Sequence, residues 1–172
     1  MPASGDGLTV IELVSGIVSF LAYENVTIIV WHATPEADAV ERLRLISERR
    51  RKHYPMGVSA VHLVKGQFEL PDGPTRDAFV RVVREGEGAL AAVAVVISGS
   101  GFWASAVRSL LTGVRVVARG SFDMGLHTSL EECIKWLPAK HSARTGITLP
   151  LDRLERALRR ADAFEQPVIE FN

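Results

Sequence analysis

The six residues Val26-Thr27-Ile28-Ile29-Val30-Trp31 carry apolar side chains at nearly every position. A strand that is apolar on both faces needs cover on both sides, so it belongs in the interior of a layered sheet. The segments after it set the fold class. Thr34-Pro35-Glu36 opens a helical pattern, with Thr34 as cap and Pro35 at the first helical position. Val40, Leu43 and Ile46 form its buried stripe, and Pro55 and Gly57 stop it. Two more apolar runs, residues 58–64 and 91–97, flank a helix over 74–85 with Ala78, Phe79, Val82 and Val83 at core spacing.

A turn at Ser98-Gly99-Ser100-Gly101 then leads into a third helix, with Trp103, Ala106, Val107, Leu110 and Leu111 on one side. Gly113 is expected to end it, and residues 114–118 read as the last core strand. Thr128-Ser129-Leu130-Glu131 reads as a capping box. Its helix buries Leu130, Cys133, Ile134 and Leu137 and is expected to stop at Pro138.

Before this alternation, Ser15-Gly16 separates two β-rich runs, 8–14 and 17–23, and predicts a tight hairpin. The expected fold is therefore α/β, with a mixed, mostly parallel sheet in the order β-β-β-α-β-α-β-α-β-α. The hairpin forms an antiparallel edge, and the parallel strands are joined by right-handed crossovers. Leu151, Leu154 and Leu158 mark an amphipathic helix after it. The division expected is a flexible N-terminus over 1–7, a domain over 8–141 and a helical extension over 142–172. The leucine stripe of that extension packs on its own sheet or, alternatively, on a second copy to give a homodimer.

At 172 residues, such a domain buries roughly 70% of its unfolded surface and needs no metal or disulfide staple. Lys+Arg and Asp+Glu both number 20. With no basic excess, no nucleic-acid partner is expected. The single cysteine, Cys133, sits on a buried helical stripe as an inert core residue. No intramolecular disulfide can form, which fits a reducing compartment. Residues 1–7 lack the basic region and long apolar stretch of a signal peptide. The longest apolar run, 89–97, falls short of the about 20 residues a membrane span needs. A cytoplasmic location is expected.

Three features bear on chemistry. Gly99-Ser100-Gly101-Phe102-Trp103-Ala104 has the spacing of a dinucleotide fingerprint with Ala in the third glycine place. It lies late in the chain, no acidic residue ends the strand expected after it, and Phe102-Trp103 would crowd a pyrophosphate. No cofactor is expected; a small anionic or polar ligand or a plain tight turn remain. Arg49-Arg50-Arg51-Lys52 forms a basic run that either meets an acidic partner, a membrane headgroup or RNA, or is simply a solvated helix end that complements the helix dipole. His32, His62 and His127 lie at or near the ends of parallel strands, where a sheet edge gathers them for metal or acid–base work. No metal is expected, because none of the five histidines shows a paired ligand spacing. There is no Gly-x-Ser-x-Gly elbow, no Gly-Lys-Ser/Thr loop and no His-Glu-x-x-His.

Three segments together carry a resemblance: the run Asn25 to Trp31, the helix opening Gly101-Phe102-Trp103-Ala104, and Thr128-Ser129-Leu130-Glu131-Glu132-Cys133-Ile134-Lys135-Trp136-Leu137. From about 23 to 137 the chain resembles a STAS-type domain, the fold of bacterial anti-sigma-factor antagonists. More closely, it is similar to the STAS-like proteins grouped with CRAL-TRIO lipid-binding domains. The resemblance implies a regulatory module rather than an enzyme. Antagonists of that family switch by phosphorylation of a Ser or Thr in the loop before a helix. The matching loop here, 65–75, has no serine and only Thr75; Ser98 and Ser100 lie in the next loop. The leading expectation is a non-enzymatic module that docks a protein partner around Thr75, Ser98, Gly99, Ser100, Gly101, Phe102 and Trp103. The alternative is a small-molecule or lipid-binding protein with its pocket at the same loops. An enzyme using His32 or His62 comes third.

Overall fold

The computed structural model describes residues 7–98, 102–118 and 121–166, without the side chains of Phe102, Trp103, Leu110, Arg115, Val117 and Ala118. Six strands form one sheet in chain order: β1 (Thr9–Val14), β2 (Val18–Tyr23), β3 (Val26–Trp31), β4 (Val58–Val64), β5 (Leu90–Ile97) and β6 (Asp123–His127). The first two pairings are antiparallel and the remaining three parallel. Helices α1 (Ala37–His53), α2 (Gly73–Glu85), α3 (Phe102–Ala118), α4 (Leu130–Thr145) and α5 (Leu151–Asp162) complete the fold. The mixed, mostly parallel α/β order expected from the sequence is the order observed.

Chain-order pairing has a geometric consequence. Each parallel crossover is right-handed and steps the same way along the sheet, so α1, α2 and α3 all land on one face. Their core contains Phe20, Ile29, Trp31, Val40, Leu43 and Ile46, and continues through Val93, Val95, Ala104 and Phe122. The other face is covered by α4 and α5, over Leu21, Ile28, Val30, Val61 and Ala94. β3 is fully covered on both sides, as its composition demands.

The hairpin loop has three residues rather than two, because Val14 pairs with Val18 and Gly16 sits at φ 70°. At the β2–β3 turn the left-handed position falls to Glu24, at φ 47°.

Four further sequence expectations need correction. Residues 114–118 are not a strand: α3 continues through Gly113 to Ala118. The β-branched run there favours a strand by composition, but Val107, Leu111 and Val114 repeat at helical spacing and keep one face inward. The last strand is instead β6, whose centre is Gly125. A Cβ there would lie 2.9 Å from the Trp136 ring and 2.5 Å from His127 Nε2. Close approach of α4 therefore selects glycine within a strand.

The second correction is that α4 does not stop at Pro138 but carries it inside the helix. Leu137, His141 and Thr145 recur every four residues and are all buried. That continuing stripe offsets the ladder bond proline cannot make. The helix ends at Gly146, at φ 70°, whose N–H bonds the Ser142 carbonyl. Third, the α4 cap lies one residue later than expected: Ser129 Oγ accepts from the Glu132 N–H at 3.3 Å, and the Glu132 carboxylate accepts from the Thr128 N–H at 2.8 Å. Fourth, α1 begins at Ala37 with Glu36 as cap, two residues beyond the Thr34 start.

The helix α5 spends its apolar stripe within the chain. Leu154, Ala157, Leu158 and Ala161 are fully buried in the same core as Leu21, Val30 and Leu137. A boundary at 142 falls inside α4. Among the described residues, no helix is long and apolar enough to cross a membrane.

Candidate functional site

Between the sheet and the pair α2–α3 lies a cavity of about 280 Å3. Its floor is built by strand residues that point to the α1–α3 face: Trp31 from β3, His62 and Val64 from β4, Val93 and Val95 from β5, and Met124 from β6. Period-two alternation puts them there. His62 pairs across the strands with Ile29 and Val95, an apolar row in which it is the one polar member. The walls come from Phe79, Val80 and Val83 of α2 and Val107, Leu111 and Val114 of α3. Phe68, Leu70 and Pro71, in the loop before α2, close one side with Pro35. Glu69 and Arg76 stand at the rim and are exposed.

The lining is therefore apolar with one polar group in its floor, the pattern of a small-molecule site. Trp31 anchors that floor. Its indole Nε1 donates to His62 Nδ1 at 3.1 Å, and its ring meets Phe79 edge-on at a centroid distance of 5.8 Å. Burial pushes His62 down from the ordinary 6.5 to about 4, so the ring is neutral at physiological pH.

Of the helix-opening residues, neither Thr75 nor Ser98 is among those that line this cavity. Thr75 is only 3% exposed. Asp72 caps α2 and accepts the Thr75 N–H at 2.8 Å, and bonds from the Thr75 side chain and backbone hold its carboxyl low. A kinase would have to open the first turn of α2 to reach the Thr75 hydroxyl. Ser98 is exposed. Gly99, Ser100 and Gly101 lie outside the described residues. Phe102 and Trp103 begin α3, with side chains outside that description.

The basic run disperses over separate contacts. Arg50 turns back to the β2–β3 turn, donating to the Glu24 carbonyl, to the Val26 carbonyl at 3.3 Å and to Thr27 Oγ1 at 3.3 Å. It also stacks over Tyr54 at 4.7 Å. Arg49 reaches Glu12 at 3.8 Å, and Lys52 pairs with Glu48 at 2.7 Å.

The three histidines do not converge. His62 faces the cavity. His127 packs against Trp136 of α4, on the opposite face, at a centroid distance of 5.1 Å. His32 bonds Ser19 Oγ at 3.0 Å. Among the described residues no group of His, Cys, Asp and Glu can hold a metal ion. Cys133 is fully buried, and burial pushes its thiol up to about 12, which leaves it inert.

The sequence pointed to the residues that open α2 and α3, whereas the described cavity is lined by strand residues, by the inner faces of those helices and by the 68–71 loop. One signal was legible: a histidine amid apolar neighbours in Val58–Val64, with a tryptophan closing the preceding strand. No family model, curated protein or solved structure matches the chain.

Proposed function

We propose that this chain is a non-enzymatic, STAS-like binding module whose cavity between α2, α3 and the sheet takes up a small apolar molecule. The observation that carries this reading is the cavity of about 280 Å3, apolar apart from His62 and two rim charges. An apolar cavity of about 150 Å3 admits benzene, so this one suits roughly ten to twelve non-hydrogen atoms. The test is a homologous series of alkylbenzenes titrated calorimetrically. Affinity should rise to about that size and then fall, and Val83→Phe, which fills the cavity from α2, should abolish binding. If no member binds, or Val83→Phe binds as well as the parent, the reading is wrong.

One observation favours a second reading, partner docking. Leu70, at the cavity mouth, is 43% exposed in the loop before α2. A protein partner seated there would feel whether the cavity is filled. Leu70→Asp should then release the partner while alkylbenzene binding persists. Partner retention by that variant would exclude this loop.

A further inference from the structure

The cavity floor presents one directed polar group, and its chemistry is fixed by its neighbour. An indole N–H only donates. Trp31 Nε1 points at His62 Nδ1 from 3.1 Å, so Nδ1 is the accepting nitrogen and carries no proton. A neutral imidazole then holds its proton on Nε2. No described residue accepts from that Nε2, and it is not among the buried polar atoms shut away from solvent. His62 itself lines the cavity.

From this geometry we infer that the cavity selects apolar molecules bearing one neutral hydrogen-bond acceptor, a ketone, ester or ether oxygen, and that His62 Nε2–H recognises it. The inference rests on the ligand-binding reading above and deepens it. A carboxylate is disfavoured at this depth, because an anion loses its hydration among Val64, Val95 and Phe79 and gains only one neutral donor. Trp31 is the positioning residue: it lines the floor and selects the tautomer, while the bond to the acceptor is made by His62. Its neighbour Phe79 in turn holds the indole edge-on.

The test compares propiophenone with sec-butylbenzene, which share heavy-atom count and connectivity and differ in a carbonyl oxygen replaced by a methyl group. Affinities are measured for the full chain, for His62→Phe and for His62→Gln. The Gln amide reproduces both functions, accepting from Trp31 through its oxygen and donating through its nitrogen. The ketone-to-hydrocarbon affinity ratio should fall about fivefold or more in His62→Phe and be held by His62→Gln. Taking the ratio cancels the different hydration of the two probes. If both probes bind and the ratio is unchanged in His62→Phe, the inference is overturned while the cavity reading stands. If neither probe binds the parent chain, both fail.

A second measurement does not depend on a folded variant. Nitrogen NMR of the histidine rings should show His62 as the Nε2–H tautomer, with that resonance moved by propiophenone and not by sec-butylbenzene. An Nδ1–H tautomer, or an Nε2 resonance indifferent to the ketone, overturns the inference.

Discussion

Ser59 Oγ and His141 Nδ1 lie 2.8 Å apart, both fully buried, and join β4 to α4 across 82 residues of sequence. The same serine donates its backbone N–H to the Asn25 carbonyl, and Asn25 Nδ2 donates to the Gly57 carbonyl at 2.9 Å. One polar cluster thus ties the start of β3, the start of β4 and the last turns of α4. Ser59→Ala leaves His141 Nδ1 without its partner, and should cost about 1–3 kcal/mol. Urea unfolding checks this; a change below about 0.5 kcal/mol, the usual surface range, would show that the bond contributes nothing net.

Acid should weaken the fold through its histidines. Burial holds His62 at about 4, and burial also lowers His32, His127 and His141 from the ordinary 6.5. The unfolded chain therefore takes up protons first. The stability from these neutral rings is complete above about pH 6.5 and is lost as pH falls below it, for His62 as pH falls through about 4. For His62 the full shift corresponds to on the order of 3 kcal/mol. Urea midpoints measured across that range should decline with falling pH, and His62→Phe should lose part of the slope.

Gly113 lies inside α3, and a Cβ built on it meets nothing within 4 Å. Gly113→Ala should therefore stabilise the protein by roughly 0.5–1 kcal/mol, the helical penalty of glycine. The thermal midpoint reads this directly. A loss of stability would mean that the backbone there is not helical.

Gly125 offers the opposite case. Its Cβ position is taken by the Trp136 ring and by His127 Nε2. Gly125→Ala should cost about 1–3 kcal/mol through overpacking. Trp136→Leu should recover part of that loss when combined with it, because the two act on one contact.

Arg50→Ala should destabilise by about 1–3 kcal/mol, since its guanidinium is donated to the carbonyls of the β2–β3 turn. Exposed Arg49 and Lys52 should tolerate alanine within about 0.5 kcal/mol. Hydrogen exchange at Asn25 and Val26 should quicken only in the Arg50 variant. Equal effects at all three positions would restore the basic run as one unit.

Much of the fold was legible in sequence because strands β2 to β5 are short apolar runs bounded by turn residues. β3 and β4 end where those turn signals place them. Errors gathered where two local signals disagreed. Val114 to Ala118 has strand composition on helical spacing, and Pro138 is a breaker on an unbroken buried stripe. In each case the face that packs against the sheet prevailed, since burial of several side chains outweighs one local preference. Gly125 could not be recognised as a strand centre, because its requirement is set by Trp136 on another element.

The candidate site divides the same way. The sequence by itself determined the α/β order; that α1, α2 and α3 share a face was decided by the pairing of the strands in chain order, because crossovers of one hand then all fall on one side. It also marked Leu154 and Leu158 as an apolar stripe, and left open whether this sheet or a second copy would cover it. Only the tertiary structure decided that α2 and α3 leave a cavity over β4 and β5, and that Trp31 reaches His62 across the strand pair. Both are distances between elements. Periodicity along one chain says which side a residue faces, but carries no information about how closely the opposing layer approaches it.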